Sequence, residues 1–306
     1  MANVQTMEDS VTARGSSARL LTILAFAAIY VIWGSTFLAI RIAVATVPPL
    51  FAAGVRFFLA GAALYLWARA RGGAKPSRLE WRNVCIQGAF LFLIAYSGLF
   101  WAEKTMPSGI ASVLVATIPV WTAILQVCIL RKEPFRWALV AGIGLGLAGV
   151  AVLAFDPGAG LSLAPCLAVL LAEVSWSIGT VLSKILALPK SMAINSGAQM
   201  LLGGFMLLVC SALLGEWQPT PHVSLHAGLA ILYLAVAGSI VAFTAYVWLL
   251  NRMRATVVTS YAYVNPVVAL IVGHWFGSEA LGVRTVFGAG LVLASVLVVI
   301  RDSRSH

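Results

Sequence analysis

The sequence predicts an all-α integral membrane protein, with ten transmembrane helices arranged as two five-helix inverted repeats around a central cavity. Three observations lead there. Hydrophobic residues make up 61% of the 306 and charged residues 10%, with a mean hydropathy of +0.98. A soluble domain carries about 25% charged residues, so this chain has too little polar surface to cover a particle in water. Apolar runs of roughly 20 residues, the length a helix needs to cross the hydrocarbon core, can be placed ten times. The two halves of the chain also repeat one another.

In chain order, residues 1–19 form a polar tail (Glu8, Asp9, Ser10, Arg14, Ser16, Ser17, Arg19) that is expected to be cytoplasmic. The first apolar run is as long as a full span and lacks a small-residue cleavage site, so it reads as an uncleaved helix and not a signal peptide. Spans at 20–41, 49–69, 83–102, 107–130 and 136–155 make the first repeat, 20–155. Spans at 162–184, 192–214, 225–250, 255–276 and 283–301 make the second, 162–301. The runs are too long for barrel strands and do not alternate. They also leave no room for an aqueous domain.

The repeat is carried by rare residues. An offset of 143 places Trp33 on Trp176, Tyr30 on Glu173, Arg41 on Lys184, Arg56 on Gln199, and Gly54 and Gly61 on Gly197 and Gly204. An offset of 147 places Trp101 on Trp248, Met106 on Met253 and Pro119 on Pro266. An offset of 146 places Glu133 on Glu279, Gly142 and Gly144 on Gly288 and Gly290, and Ala148 on Ala294. Five is odd, so the second copy is expected upside down, an arrangement that puts a transport site at the repeat interface.

Charge fixes the expected orientation. With the N-terminus inside, 16 of the 20 basic residues fall in cytoplasmic segments, as the bias of Lys and Arg to that side requires. Both termini are then cytoplasmic. The net charge of +10 is thus a topology signal set against lipid headgroups, and no nucleic-acid partner is expected.

Polar groups inside a bilayer are functional candidates, since each costs a few kcal/mol unless paired. Glu173 lies halfway along its span with Trp176 one turn later, and the related face of the first span carries Tyr30 and Trp33. These faces are expected to line the substrate cavity, with Tyr96, Trp101, Tyr246 and Asn265 as further candidates. Packing is the competing role for the two tryptophans, a structural hydrogen bond for Glu173, and a place in the interfacial belt for Trp101 and Trp248. Arg56 could snorkel to the interface, anchor a substrate carboxylate or pair with Glu173. Pro119 and Pro266 sit near the middles of matching spans and are candidate hinges, because proline leaves the carbonyl four residues earlier without its donor.

Gly142 and Gly146 have the spacing that lets helices approach closely. Packing between repeats is the first reading and homo-oligomer formation the second. Four cysteines (Cys85, Cys128, Cys166, Cys210) fall in spans without metal spacing and read as buried, inert thiols. The sequence holds no metal-ligand cluster, nucleotide-binding loop or catalytic triad at one depth, so neither a cofactor nor enzymatic activity is expected.

The segment Ile32-Trp33-Gly34-Ser35-Thr36-Phe37, followed by Pro48-Pro49 and Arg56, resembles the opening of an EamA-type member of the drug/metabolite transporter superfamily. The likeness continues through Pro107-Ser108-Gly109-Ile110-Ala111-Ser112, Ile118-Pro119-Val120 and Arg131-Lys132-Glu133. A weaker version follows at Tyr263-Val264-Asn265-Pro266-Val267 and Glu279. The resemblance implies a ten-helix transporter that moves small metabolites, often amino acids outward, by alternating access. Gln199 and Ser177-Ile178-Gly179 depart from the first-half pattern, so the repeats are not expected to contribute equally.

The expected function is inner-membrane export of a small-molecule substrate, foremost amino acids with apolar or aromatic side chains. Proton-coupled drug or organic-cation export through Glu173 stands as an alternative. So does a receptor or assembly subunit that transports nothing.

Overall fold

The computed structural model describes residues 19–128, 137–154, 163–218, 223–250, 252–253, 258 and 261–304, and these are helical apart from short turns. The helices are α1 (Arg19–Val44), α2 (Pro49–Ala70), α3 (Arg78–Ala102), α4 (Ser108–Val115) and α5 (Ile118–Cys128). They are followed by α6 (Trp137–Ala154), α7 (Leu163–Leu182), α8 (Met192–Leu213), α9 (Leu225–Leu249), α10 (Tyr261–Gly277) and α11 (Val283–Arg304). Seven helical stretches are long and apolar enough to cross a membrane, α4 and α5 together supplying one, Ser108–Leu125. Three shorter apolar helices, Val140–Leu153, Val264–Gly277 and Val283–Ser295, lie among the described residues where the other expected spans fall. Only about half of each long span is buried. The outward faces are apolar too: Val31, Leu66, Leu171, Leu213 and Phe276 are all more than half exposed. Helices apolar on every face need hydrocarbon around them.

Local sequence sets several ends differently from hydropathy. The third span begins at Arg78 instead of residue 83, because Ser77 and Glu80 form a capping box. The Glu80 N–H donates to Ser77 Oγ (3.2 Å) and the Ser77 N–H to the Glu80 carboxylate (2.7 Å). The expected continuous span 107–130 is broken at Ala116–Thr117, between α4 and α5. Pro119 in the first turn of α5 has no N–H to offer the Val115 carbonyl, and at the break both the N–H (3.1 Å) and the Oγ1 (2.7 Å) of Thr117 donate to the Leu114 carbonyl. Pro266 behaves otherwise: α10 runs through it unbroken. Cys85 is exposed, not buried, while Cys166 is buried as expected; Cys128 lies outside the residues whose side chains are described.

Small residues decide which helices meet. α2 and α8 pack along their lengths, and a Cβ on Gly61 would collide with the Leu201 backbone, one on Gly204 with the Phe58 backbone, and one on Gly197 with that of Tyr65. α6 and α11 pack the same way through Gly149 and Gly288, with Gly146 against Ser295. α1 packs on α9 and α10, and α7 lies on α3 and α5.

One end of the bundle is tied by Glu279, just past α10. Its carboxylate pairs with Arg41 of α1 (2.5 Å) and accepts from the N–H groups of Ser108 (2.8 Å) and Gly109 (3.1 Å) at the start of α4. The unpaired donors and positive dipole at a helix start suit an anion. Beside this tie, immediately past α3, Glu103 is 1% exposed, and neither carboxylate oxygen has a partner among the described residues. Burial pushes its carboxyl well above the usual carboxylate range, and the Glu279 charge adds to the effect.

Two outcomes follow from this packing. Gly61→Leu should lower the melting temperature of the detergent-purified protein, since overpacking costs about 1–3 kcal/mol. Gly144→Ala, whose Cβ meets nothing within 4 Å, should not. Because the folded Glu103 carboxyl holds its proton more tightly than an unfolded one, the wild type loses stability as pH rises above the usual carboxylate range towards the raised value. Glu103→Gln should therefore match the wild type at low pH and melt progressively higher than it as pH rises. Parallel melts across pH check this.

Candidate functional site

A central cavity lies where α1, α3, α7 and α10 converge on the α4–α5 break. Trp33, Thr36, Phe37 and Ile40 face it from α1, at helical spacing that keeps them on one side. Tyr96 comes from α3, Glu173 and Trp176 from α7, and Tyr261 and Asn265 from α10; Val115 and Ile118 flank the break. The free space is about 60 Å³. An apolar cavity that binds benzene measures about 150 Å³, so a solute of amino-acid size enters this one only if wall side chains move.

The wall is mostly aromatic, and each ring is held. Trp33 is 8% exposed, its Nε1 donates to the Gly238 carbonyl (3.0 Å), and its ring meets Tyr246 at 5.1 Å and Tyr261 at 5.2 Å. Tyr96 meets Trp176 edge-on at 6.0 Å. Such tilted and edge-on contacts suit ring quadrupoles and add about 0.5–1.5 kcal/mol each. The Asn265 amide, with nitrogen towards α1, donates to the carbonyls of Ile29 (3.2 Å) and Tyr30 (3.1 Å). Those carbonyls belong to a π-helical turn, Ala28–Ile32. Two further π-helical stretches, Ala89–Ile94 in α3 and Leu234–Val241 in α9, adjoin the site. Turns of this kind recur at functional sites because they release backbone groups for other partners.

Glu173 is the only Asp, Glu, Lys or Arg on the cavity wall among the described residues. It is 4% exposed and accepts no hydrogen bond from a described residue. The Trp176 Nε1 is also buried without a partner among the described residues. A carboxyl and an indole donor are thus not used by the described part of the wall.

Of the sequence-predicted residues, Trp33, Tyr96, Glu173, Trp176 and Asn265 come together on this wall. Tyr246 packs behind Trp33 and lines a second cavity of about 280 Å³ at the opposite end from Glu279, together with Trp176, Lys184, Asn195 and Gln199. Trp176 lines both cavities and stands between them. Tyr30 is half-buried against Phe26, off the wall. Trp101 is a correction: it is 46% exposed at the end of α3 and faces away. Five residues separate it from Tyr96, about 140° around the helix, so the two cannot share the cavity. Arg56 does not snorkel; it is 1% exposed and forms no ion pair with Glu173. Thr36, Phe37, Ile40 and Tyr261 were not among the sequence-predicted site residues, although helical spacing from Trp33 points to the first three.

Comparison with known proteins places this geometry. The EamA-like transporter family matches residues 20–155 and again 163–301. An uncharacterized inner membrane transporter of Escherichia coli, YedA, is 37% identical over 89% of this chain and 88% of its own length. Protein PecM of Dickeya dadantii is 26% identical, covering 88% of each chain, and the uncharacterized transporter YoaV of Bacillus subtilis is 26% identical over 87% of this chain and 92% of its own. A crystal structure with 22% identity superposes with a TM-score of 0.63, covering 93% of this chain and 98% of the other, a likeness of fold. A helical bundle with apolar outer faces, built around an aromatic cavity and matched by this family through both halves, is a multi-pass membrane transporter, and the chain belongs to the EamA-like transporter family.

Proposed function

We propose that this chain exports small solutes bearing an ammonium group across the inner membrane, foremost amino acids with apolar or aromatic side chains. Alternating access would run between two oppositely oriented five-helix repeats, with both termini cytoplasmic. The observation that carries this is Glu173, buried and, among the described residues, without a hydrogen-bond partner and the one Asp, Glu, Lys or Arg on an aromatic wall. A cation leaving water needs a carboxylate or ring faces to replace its hydration, and this wall offers both. An anionic solute finds no basic group there.

Alternating access is supported by the asymmetry of the two ends. The Arg41–Glu279 tie closes one, while the larger cavity beyond Trp176 lies at the other. A second reading, proton-coupled export of organic cations, is favoured by the same Glu173. In that reading Glu173 is the group that exchanges a proton for a cationic solute.

In proteoliposomes, Glu173→Gln should reduce gradient-driven transport of labelled L-phenylalanine at least about tenfold, as expected for loss of a charged hydrogen bond. Wild-type rates in that variant would overturn the reading, and substrate-dependent lumenal pH changes would separate exchange for a proton from simple export. Arg41→Ala should loosen the closed end. The Arg41 side chain is 39% exposed, so the pair is worth about 1 kcal/mol after screening, or roughly fivefold in the open population. Labelling of a cysteine placed at Ile40 by an impermeant thiol reagent, applied from that end, should rise accordingly.

A further inference from the structure

Arg56 is a buried cation without an ionic partner. It lies on α2 at 1% exposure, and the one ion pair among the described residues is elsewhere. Its Nε donates to Ser239 Oγ (2.9 Å), and that hydroxyl donates to the Leu234 carbonyl (3.0 Å), which fixes the guanidinium's direction. The guanidinium carbon lies 4.5 Å from the Phe57 ring centre and 5.2 Å from that of Tyr96. Its Nη1 donates to nothing among the described residues. An arginine kept for structure would be expected to use its fork of donors in full, because a buried unpaired charge is expensive.

The surroundings are built to bring this group near the cavity. A Cβ on Gly238 would stand 3.0 Å from Arg56 Nη2 and 2.9 Å from Thr36 Cγ2, so glycine is what lets the guanidinium lie beside the wall residue Thr36. The same residue's carbonyl receives Trp33 Nε1. One π-helical stretch therefore positions both a wall tryptophan and the arginine behind the wall. Tyr96 alone among the wall residues lies over the guanidinium. The repeat mate of Arg56, Gln199, by contrast uses its amide donors, with Nε2 donating to Gln87 Oε1 (2.6 Å) and Asn195 Oδ1 (2.9 Å).

We propose that Arg56 is the carboxylate-binding residue of the transport site, screened by the Tyr96 ring, so that the site takes zwitterionic amino acids. This rests on the reading that Glu173 receives the ammonium group. The carboxylate forms its hydrogen bonds with the free Nη1 edge when Tyr96 swings aside. That one movement also enlarges a cavity too small for the solute as it stands. The acid and base then recognise the two ends of one molecule, which explains why only the first repeat needs an arginine.

The test is equilibrium binding to the full-length purified protein of three probes with the same aromatic body: L-phenylalanine, its methyl ester, and phenethylamine. Wild type should bind phenylalanine at least about tenfold tighter than the ester or the amine, the worth of a charge-assisted hydrogen bond. Arg56→Gln should bring the three to within about twofold, by weakening phenylalanine and sparing the amine. Arg56→Lys should keep part of the preference, and Tyr96→Ala should keep it in full. Glu173→Gln should weaken all three. If wild type binds the amine or ester as tightly as phenylalanine, or if Arg56→Gln keeps the wild-type preference, the assignment of Arg56 is overturned. The Glu173 reading then still stands on amine binding that Glu173→Gln abolishes. Binding of none of the three overturns both. The wild-type comparison decides the matter even if Arg56→Gln does not fold.

Discussion

Hydrocarbon offers no hydrogen-bond partners, and the rest of this structure follows from how the chain lives with that. Every backbone group within a span must be satisfied by the span itself or by a neighbour. Where the ladder is interrupted, side chains supply partners at three places among the described residues. At the α4–α5 break, Thr117 turns its hydroxyl to the Leu114 carbonyl and receives Trp121 Nε1. At the π-helical turn of α1, Asn265 reaches across from α10 to two carbonyls. At that of α9, the Gly238 carbonyl takes Trp33 Nε1. All three answers come from polar side chains that a lipid-facing position would not tolerate, and all three lie around one cavity.

The groups left unanswered are the informative ones. Among the described residues, Trp176 Nε1 and Arg56 Nη1 have no hydrogen-bond partner and none donates to Glu173; Glu173 and Trp176 are on the aromatic wall, and Arg56 lies against the Tyr96 ring. A transport site needs such vacancies: a wall satisfied by its own groups has nothing left to offer a solute that must give up its water. The aromatic rings supply the remaining surface without fixing a partner, so they can yield as the solute enters and still close over it.

Much of this was legible in the residues. Composition and run length were enough for a helical membrane chain, and the matched pairs Trp33/Trp176 and Gly61/Gly204 marked helices that meet at the centre. Glu173 could be found because a carboxylate in mid-span is rare. Other features were hidden for physical reasons. Hydropathy cannot see a helix break that proline and threonine make together, so 107–130 read as one span. It also placed the start of α3 by apolarity, although Ser77 and Glu80 spelled out a cap. Trp101 shares a repeat match with Trp248, but it lies about 140° around α3 from Tyr96, and a repeat match carries no information on that angle. The roles open to Arg56 could not be separated from residues alone, because snorkelling depends on which way a face turns; its burial decides against snorkelling. Glu103 escaped notice at a helix end, where acids are ordinarily wet.

The glycine contact between α2 and α8 constrains any motion of the bundle. Gly61 and Gly204 bring two backbones together with no side-chain cushion between them. Displacing one helix along the other by a single residue, about 1.5 Å, would drive a Cβ into main-chain atoms. These two helices can turn together but cannot slide, which makes them an axle. By contrast, what ties α1, α4 and α10 at the Glu279 end is one carboxylate, shared between the Arg41 guanidinium and the N–H groups of Ser108 and Gly109.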